Sequence, residues 1–271
     1  MNFRKKTYQP SRSPGKLAWK RFRKNKAGII PLSVILLTII IALLGYLITP
    51  DPTPFANNQQ LDISMQKPGF AVTMLNVRKN EPEIHTSLLR KMLTGAKSNY
   101  YEVPVSSYTF KGDSINVTLF DPEGSGLRRS WNIANVVYPL LKSPVKKDDS
   151  MIIHTIDGQL ISVHTGDLQS LIEKQNLQKK HFWLGTDQFG RDLLSRLIIG
   201  SRVSISVGFI SVGISLIVGI LLGSLAGYFG GRTDDVIMWF INVVWSIPTL
   251  LLVIAITFAL GRGFWQIFIA V

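Results

Sequence analysis

The sequence predicts a membrane-embedded, all-α helical bundle with an α+β domain inserted, outside the membrane, between its first and second spans. Three observations predict it. An apolar run from about Ile29 to Ile48 is long enough to cross the hydrocarbon core. A second apolar region, Val203–Val271, carries only Arg232, Asp234, Asp235 and Arg262 as charges. Between them, residues 51–202 nearly balance acid against base and show period-two patterns and turn signals. The net charge of +13 over 271 residues is therefore an average of unlike parts.

The elements follow in chain order. Residues 1–28 hold ten Lys and Arg and no acid. Such charge against a span marks the cytoplasmic side, so the N-terminus is expected in the cytoplasm and Asp51 outside. The same placement argues for a membrane partner and against nucleic acid. The first span, 29–48, reads as a retained anchor: it is too long for a signal-peptide h-region, and Thr-Pro-Asp-Pro-Thr-Pro follows where a small-residue cleavage site would stand. Residues 49–180 read as the extracytoplasmic insert. Pro50, Pro52 and Pro54 stop the helix. Val103–Phe110 and Ser114–Phe120 read as strands around a Lys-Gly-Asp turn. Met151–Ile156 and Gln159–His164 read as a two-residue hairpin at Asp157-Gly158, which opposes His154 to Ile161. Leu168–Lys180 reads as a helix. Residues 181–202 form an amphipathic interfacial segment and 203–271 a membrane core. In that core, spans are expected at about 203–228 and 236–260, with a polar turn at Gly230–Asp235 between them. Phe264–Val271 is apolar but too short to cross, and is expected to be the start of a fourth span cut by the end of the sequence, an interfacial tail being the alternative.

Three groups of residues stand out. In His181–Gly200, Thr186 or Asp187 is placed to cap a helix whose apolar face holds Phe189, Leu193 and Leu197, with ion pairs Asp187–Arg191 and Asp192–Arg196 at i,i+4. This helix would lie at the membrane interface, or act as a gate or docking element there. In the second span, Ser211, Ser215, Gly219, Gly223 and Gly227 recur every fourth residue, a ridge of small side chains suited to close helix–helix packing. In the third span, Asn242 and Ser246 share one face and Pro248 interrupts the helix, so these three are candidates for a polar pathway or for bonds to another helix.

No catalytic constellation emerges. The chain has no cysteine, so neither a disulfide framework nor a thiolate metal site is available to it. The histidines His85, His154, His164 and His181 are scattered, and no metal or cofactor site is expected from them. The P-loop pattern is absent, and Ser125 in Glu-Gly-Ser-Gly lies in a loop and not on a nucleophile elbow.

The stretch His181–Gly200 resembles the H-P-L-G-T-D-x-x-G-R-D-x-x-S-R segment of binding-protein-dependent ABC transporter permeases of the oligopeptide/dipeptide family. Gly185, Thr186, Asp187, Gly190, Arg191, Asp192, Ser195 and Arg196 match it; Phe182-Trp183 replaces the usual proline. Gly200–Ser204, Ala226–Gly231, Ser246-Ile247-Pro248 and the basic Trp19–Lys26 extend the resemblance. The resemblance implies a six-span permease in the bacterial inner membrane, without enzymatic activity or cofactor of its own. Its implied partners are a second permease subunit, two ATPase subunits and an extracytoplasmic solute-binding protein, and it would import peptides or similar solutes such as nickel chelates. The family's Glu-Ala-Ala coupling loop would lie beyond residue 271, and the insert is longer than the family usually has. The competing expectation is a membrane-anchored interaction or scaffold protein whose insert carries the function.

Overall fold

The computed structural model describes residues 14–124 and 126–261. The chain divides into two compact units between Ile199 and Gly200. Ser125 and the expected fourth-span start at 264–271 lie outside the described residues.

The first unit opens on a short helix, α1 (Pro14–Phe22), whose Trp19 and Phe22 rings stack. Helix α2 (Lys26–Ile48) is apolar on all sides and meets the length and hydropathy of a span. Its last turns are nevertheless buried at Ala42, Gly45 and Tyr46. A Cβ at Gly45 would lie 3.2 Å from Ile199 Cδ1, so the glycine permits a close crossing with the start of the later helix Leu193–Phe229. Pro50, Pro52 and Pro54 keep the exit from α2 non-helical apart from a 3₁₀ turn at Pro54–Ala56.

The insert is an α+β domain. Strands β1 (Phe70–Arg78), β2 (Tyr100–Lys111), β3 (Ser114–Leu119), β4 (Arg128–Asn132) and β8 (Leu177–Phe182) form one antiparallel sheet in the order β4-β3-β2-β1-β8. Strands β5 (Val145–Lys147), β6 (Ser150–His154) and β7 (Leu160–His164) form a smaller sheet. Helix α3 (Leu88–Thr94) lies between β1 and β2 in sequence. Alternation in β1 assigns its faces: Leu75 and Val77 enter one cluster, Val72 and Met74 another. The larger cluster joins Ile115 and Val117 of β3 to Ile133 and Val136 of α4 (Ile133–Val137), Met151 and Ile153 of β6, and Leu168 of α5 (Thr165–Leu171).

Two local expectations are corrected here. The hairpin of β6 and β7 has a three-residue loop, Ile156–Gly158, which pairs His154 with Leu160 and not Ile161. Gly158 (φ +78°) takes the left-handed position after a turn closed by its N–H to Thr155 O at 3.0 Å, so the glycine is used one step later than in a two-residue turn. The helix expected over Leu168–Lys180 ends in a π turn at Ile172–Asn176, and Leu177–Phe182 is strand β8. Pairing with β1, Leu75 to Leu177 through Phe70 to Phe182, overrides the helix-forming run Glu-Lys-Gln-Asn-Leu-Gln-Lys-Lys.

Helix α6 (Leu193–Phe229) has 37 residues and passes from the first unit into the second. It begins ten residues before the span expected at 203–228. In the second unit α7 (Gly231–Ser246) starts directly after Gly230, so Arg232–Asp235 are helical and not a turn. Asp234 then sits in the first turn of α7, where the helix dipole favours an acid. The third span is not one helix: α7 and α8 (Thr249–Leu260) meet at an 87° bend. Pro248 forces Ile247 to extended backbone (φ −82°, ψ 124°), which ends α7. By length and composition the described residues offer two spanning helices, α2 and α6, and a third span if the bent pair counts as one.

Candidate functional site

The motif residues Gly185–Arg196 build a clip that joins the segment after α2 to the start of α6. The amphipathic helix expected here does not form; helical structure begins only at Leu193. Gly185 (φ +77°) and Gly190 (φ +69°) turn the backbone twice, and Thr186 bridges Asp192 across the loop between them. The Asp187 carboxylate closes the loop. Its Oδ1 accepts the amides of Phe189 (2.9 Å) and Arg191 (3.0 Å), and its Oδ2 accepts Arg191 Nε (2.8 Å). Arg191 Nη2 also lies 2.8 Å from Oδ2 and the guanidinium covers the Phe189 ring.

The other side of the clip is the segment 57–66. Thr186 Oγ1 donates to Ile63 O (2.5 Å) and accepts from the Gln66 amide (2.9 Å), while the Thr186 amide donates to Gln66 O (3.1 Å). The amides of Met65 and Gln60 donate to the carbonyls of Asp187 and Phe189, both at 3.0 Å. Arg191 Nη1 donates to Asn57 Oδ1 (2.9 Å). Close approach requires the two glycines: an added Cβ would stand 2.2 Å from Gln66 O at Gly185 and 1.7 Å from Gln60 O at Gly190.

Asp192 ends the clip and caps α6. Its Oδ2 accepts the Ser195 amide (2.9 Å) and the Ser195 hydroxyl. Ser195 Oγ in turn accepts the Asp51 amide (3.0 Å), so the first residues beyond α2 are tied to the first turn of α6. The Asp51 carboxylate folds its own loop, accepting Thr53 N (3.0 Å) and Asn58 N (3.2 Å). The expected Asp192–Arg196 pair is replaced: Arg196 lies 3.6 Å from Asp187, because Asp192 is committed to the cap.

Burial alone would raise the Asp187 carboxyl. The Arg191 side-chain hydrogen bonds, the Arg191 and Phe189 amides and the Arg191 charge outweigh it and hold the group below the ordinary carboxylate value. A carboxyl depressed in the folded state contributes stability above its unfolded pKa of about 3.9, and that contribution is lost as pH falls through the lower folded value. Near-ultraviolet circular dichroism of the full chain from about pH 5 to about pH 2 should show this loss, and Asp187→Asn should remove it.

The remaining candidates are not brought to this clip. Ser211, Ser215, Gly219, Gly223 and Gly227 all lie on α6, and a Cβ at any of the three glycines would meet nothing within 4 Å among the described residues. Asn242 is exposed on α7, and Ser246, also exposed, donates to Val243 O (2.7 Å) beside the Pro248 break. Among the described residues no group of three or more His, Asp or Glu is placed to hold a metal ion. Sequence reading missed the receiving side of the clip. Asp51 had a signal, since Asp-Pro-Thr favours an Asx turn. Asn57, Gln60, Ile63 and Gln66 had none, because their partners lie more than a hundred residues away.

The family described as the N-terminal TM domain of oligopeptide transport permease C matches residues 13–68, which contain α2 and the receiving side of the clip. The family described as binding-protein-dependent transport system inner membrane component matches residues 219–271. Among curated proteins, the chain is 33% identical over 120 residues to the oligopeptide transport system permease protein OppC of Bacillus subtilis, covering 44% of this chain and 39% of that protein. It is 34% identical over 146 residues to the probable D,D-dipeptide transport system permease protein DdpC of Escherichia coli, covering 52% and 49%. It is 51% identical over 90 residues to the di/tripeptide transport system permease protein DppC of Pseudomonas aeruginosa, covering 33% and 30%. The chain thus spans half or less of the length of these relatives. No solved structure matches it. The chain is thus similar at its two ends to two transport-permease families and, over part of its length, to oligopeptide and dipeptide transport permeases.

Proposed function

We propose that this chain is a permease subunit of an ATP-driven importer and forms half of a translocation pathway for peptides or similar solutes. An extracytoplasmic binding protein delivers the solute, and two separate ATPase subunits supply the energy. The chain sits in the bacterial inner membrane as a multi-pass helical bundle with a cytoplasmic N-terminus and the insert outside. Its small-residue ridge on α6 packs against a second permease subunit, since close backbone approach is what drives helix association in lipid. The printed names of the relatives, all peptide transport permeases, support the solute class.

The observation that carries the pathway is the 87° break between α7 and α8. A broken helix leaves backbone groups that lipid cannot satisfy, so it is tolerated where it faces protein or a polar cavity. Asn242, Ser246 and Pro248 flank that break and are proposed to line the pathway. Cysteine at Asn242 or Ser246 should react with an impermeant thiol reagent, at a rate that changes when peptide and ATP are supplied to the assembled importer. Complete protection in every transport state would remove both residues from the pathway.

A further inference from the structure

The insert carries a groove that the clip helps to build. Its floor is the border of the core face of the main sheet, at Val77, Val103, Leu119 and Trp131. Its opposite wall is the loop from Thr53 to Asp62, including Asn57 and Gln60 of the clip. The groove is open to solvent and holds about 870 Å³, the size of a small-ligand site.

The lining has three kinds of group. Tyr101 and Leu127 are 59% and 70% exposed at the groove, an apolar surface able to take side chains. Asn57, Asn58, Gln59 and Gln60 line the wall with amides, which match the donors and acceptors of a peptide backbone. Lys97 and Arg129 are exposed on the rim and make no ion pair among the described residues. Lys79 adds a third cation, donating to Ser98 O at 2.9 Å. Of the two acids, Glu102 is already paired with Lys180 at 2.6 Å, which leaves Asp62. The rim is therefore cationic.

We propose that this groove binds a short extended peptide with a free carboxylate end, the carboxylate held by Lys97 and Arg129 and an apolar side chain seated between Tyr101 and Trp131. This goes beyond peptide import, because binding here is separate from the helix break and holds whether or not the peptide crosses the membrane. It also connects to the clip. Arg191 and Phe189 hold Asn57 and Gln60, so a ligand against that wall bears on the loop tied to the start of α6.

The test uses the full chain in lipid nanodiscs without any partner. The probe is a fluorescein-labelled pentapeptide, Ala-Ala-Phe-Ala-Phe, with a free carboxyl end, and the readout is anisotropy. Binding should saturate and weaken with salt, and the amidated probe should bind about tenfold more weakly. The double variant Lys97→Ser with Arg129→Ser should lower affinity by a similar factor, and because both side chains are exposed its thermal unfolding should match the parent chain. Bound peptide should slow hydrogen exchange at the amides of Asn57 and Gln60. Equal binding of acid and amide probes, or undiminished binding by the natively folded double variant, would overturn the assignment. Neither result bears on uptake by the assembled importer, so the two proposals fail separately.

Discussion

A single methyl group at position 190 is expected to open the clip. Gly190 has φ +69°, and an ideal Cβ would stand 1.7 Å from Gln60 O and 2.5 Å from Gln60 C. Neither strand can step aside alone. The Gln60 amide is bonded to Phe189 O at 3.0 Å and the Gly190 amide to Asp187 O at 2.9 Å. Gly190→Ala therefore adds left-handed strain of about 1 kcal/mol to the loss of several of these bonds, for a total of at least ~3 kcal/mol. Gly112 and Gly158 supply the comparison, since both have positive φ with nothing within 4 Å of an added Cβ. Alanine at either should cost about 1 kcal/mol, the strain alone. Thermal unfolding of the full chain in detergent, followed by near-ultraviolet circular dichroism, ranks the three. Hydrogen exchange should accelerate at Gln60, Met65 and Gln66 only in Gly190→Ala. Equal unfolding of the three variants would mean that the close approach at Gly190 does not hold the loop.

The same glycines explain what the sequence disclosed and what it hid. Asp187 and Arg191 stand four apart, which suits a helix pair and also a loop that folds on itself. Gly185 before that pair and Gly190 inside it weaken a helix, a signal that the expected amphipathic helix passed over. The elements that local pattern decides were legible: α2 by its uniform apolarity, β2 and β3 by their turn, the break at Pro248 by the ring's demand on Ile247. Strand β8 was not legible, because its side chains favour a helix and only pairing with β1 makes it extended. Of the candidate site, the motif side could be named residue by residue, whereas its partners between Asp51 and Gln66 depend on contacts that no local pattern encodes. The groove was illegible for the same reason: it needs the sheet register and the clip together.

Removing the Asp192 carboxylate should release the start of α6 from the exit of α2. Asp192 is buried, and its Oδ2 takes both the amide and the hydroxyl of Ser195. Asp192→Ala strips the cap, about 1 kcal/mol, and leaves a buried amide without its acceptor, about 1–3 kcal/mol more. The effect reaches Asp51, because the Ser195 hydroxyl that accepts its amide is oriented by donating to Asp192. The expected total is ~2–4 kcal/mol, read as a fall of several degrees in thermal midpoint. Asp192→Asn keeps one acceptor oxygen and should retain most of the cap, so stability is expected in the order Asp, Asn, Ala. Ser195→Ala should reproduce the Asp51 part alone, with faster exchange at that amide and an intact Asp192. In the importer proposed above, Asp192→Ala should lower uptake more than Asp192→Asn does, in the same order as the melting temperatures. If alanine melts within a degree of the parent chain, α6 is anchored by its apolar crossing at Gly45 and Ile199 instead of by the cap.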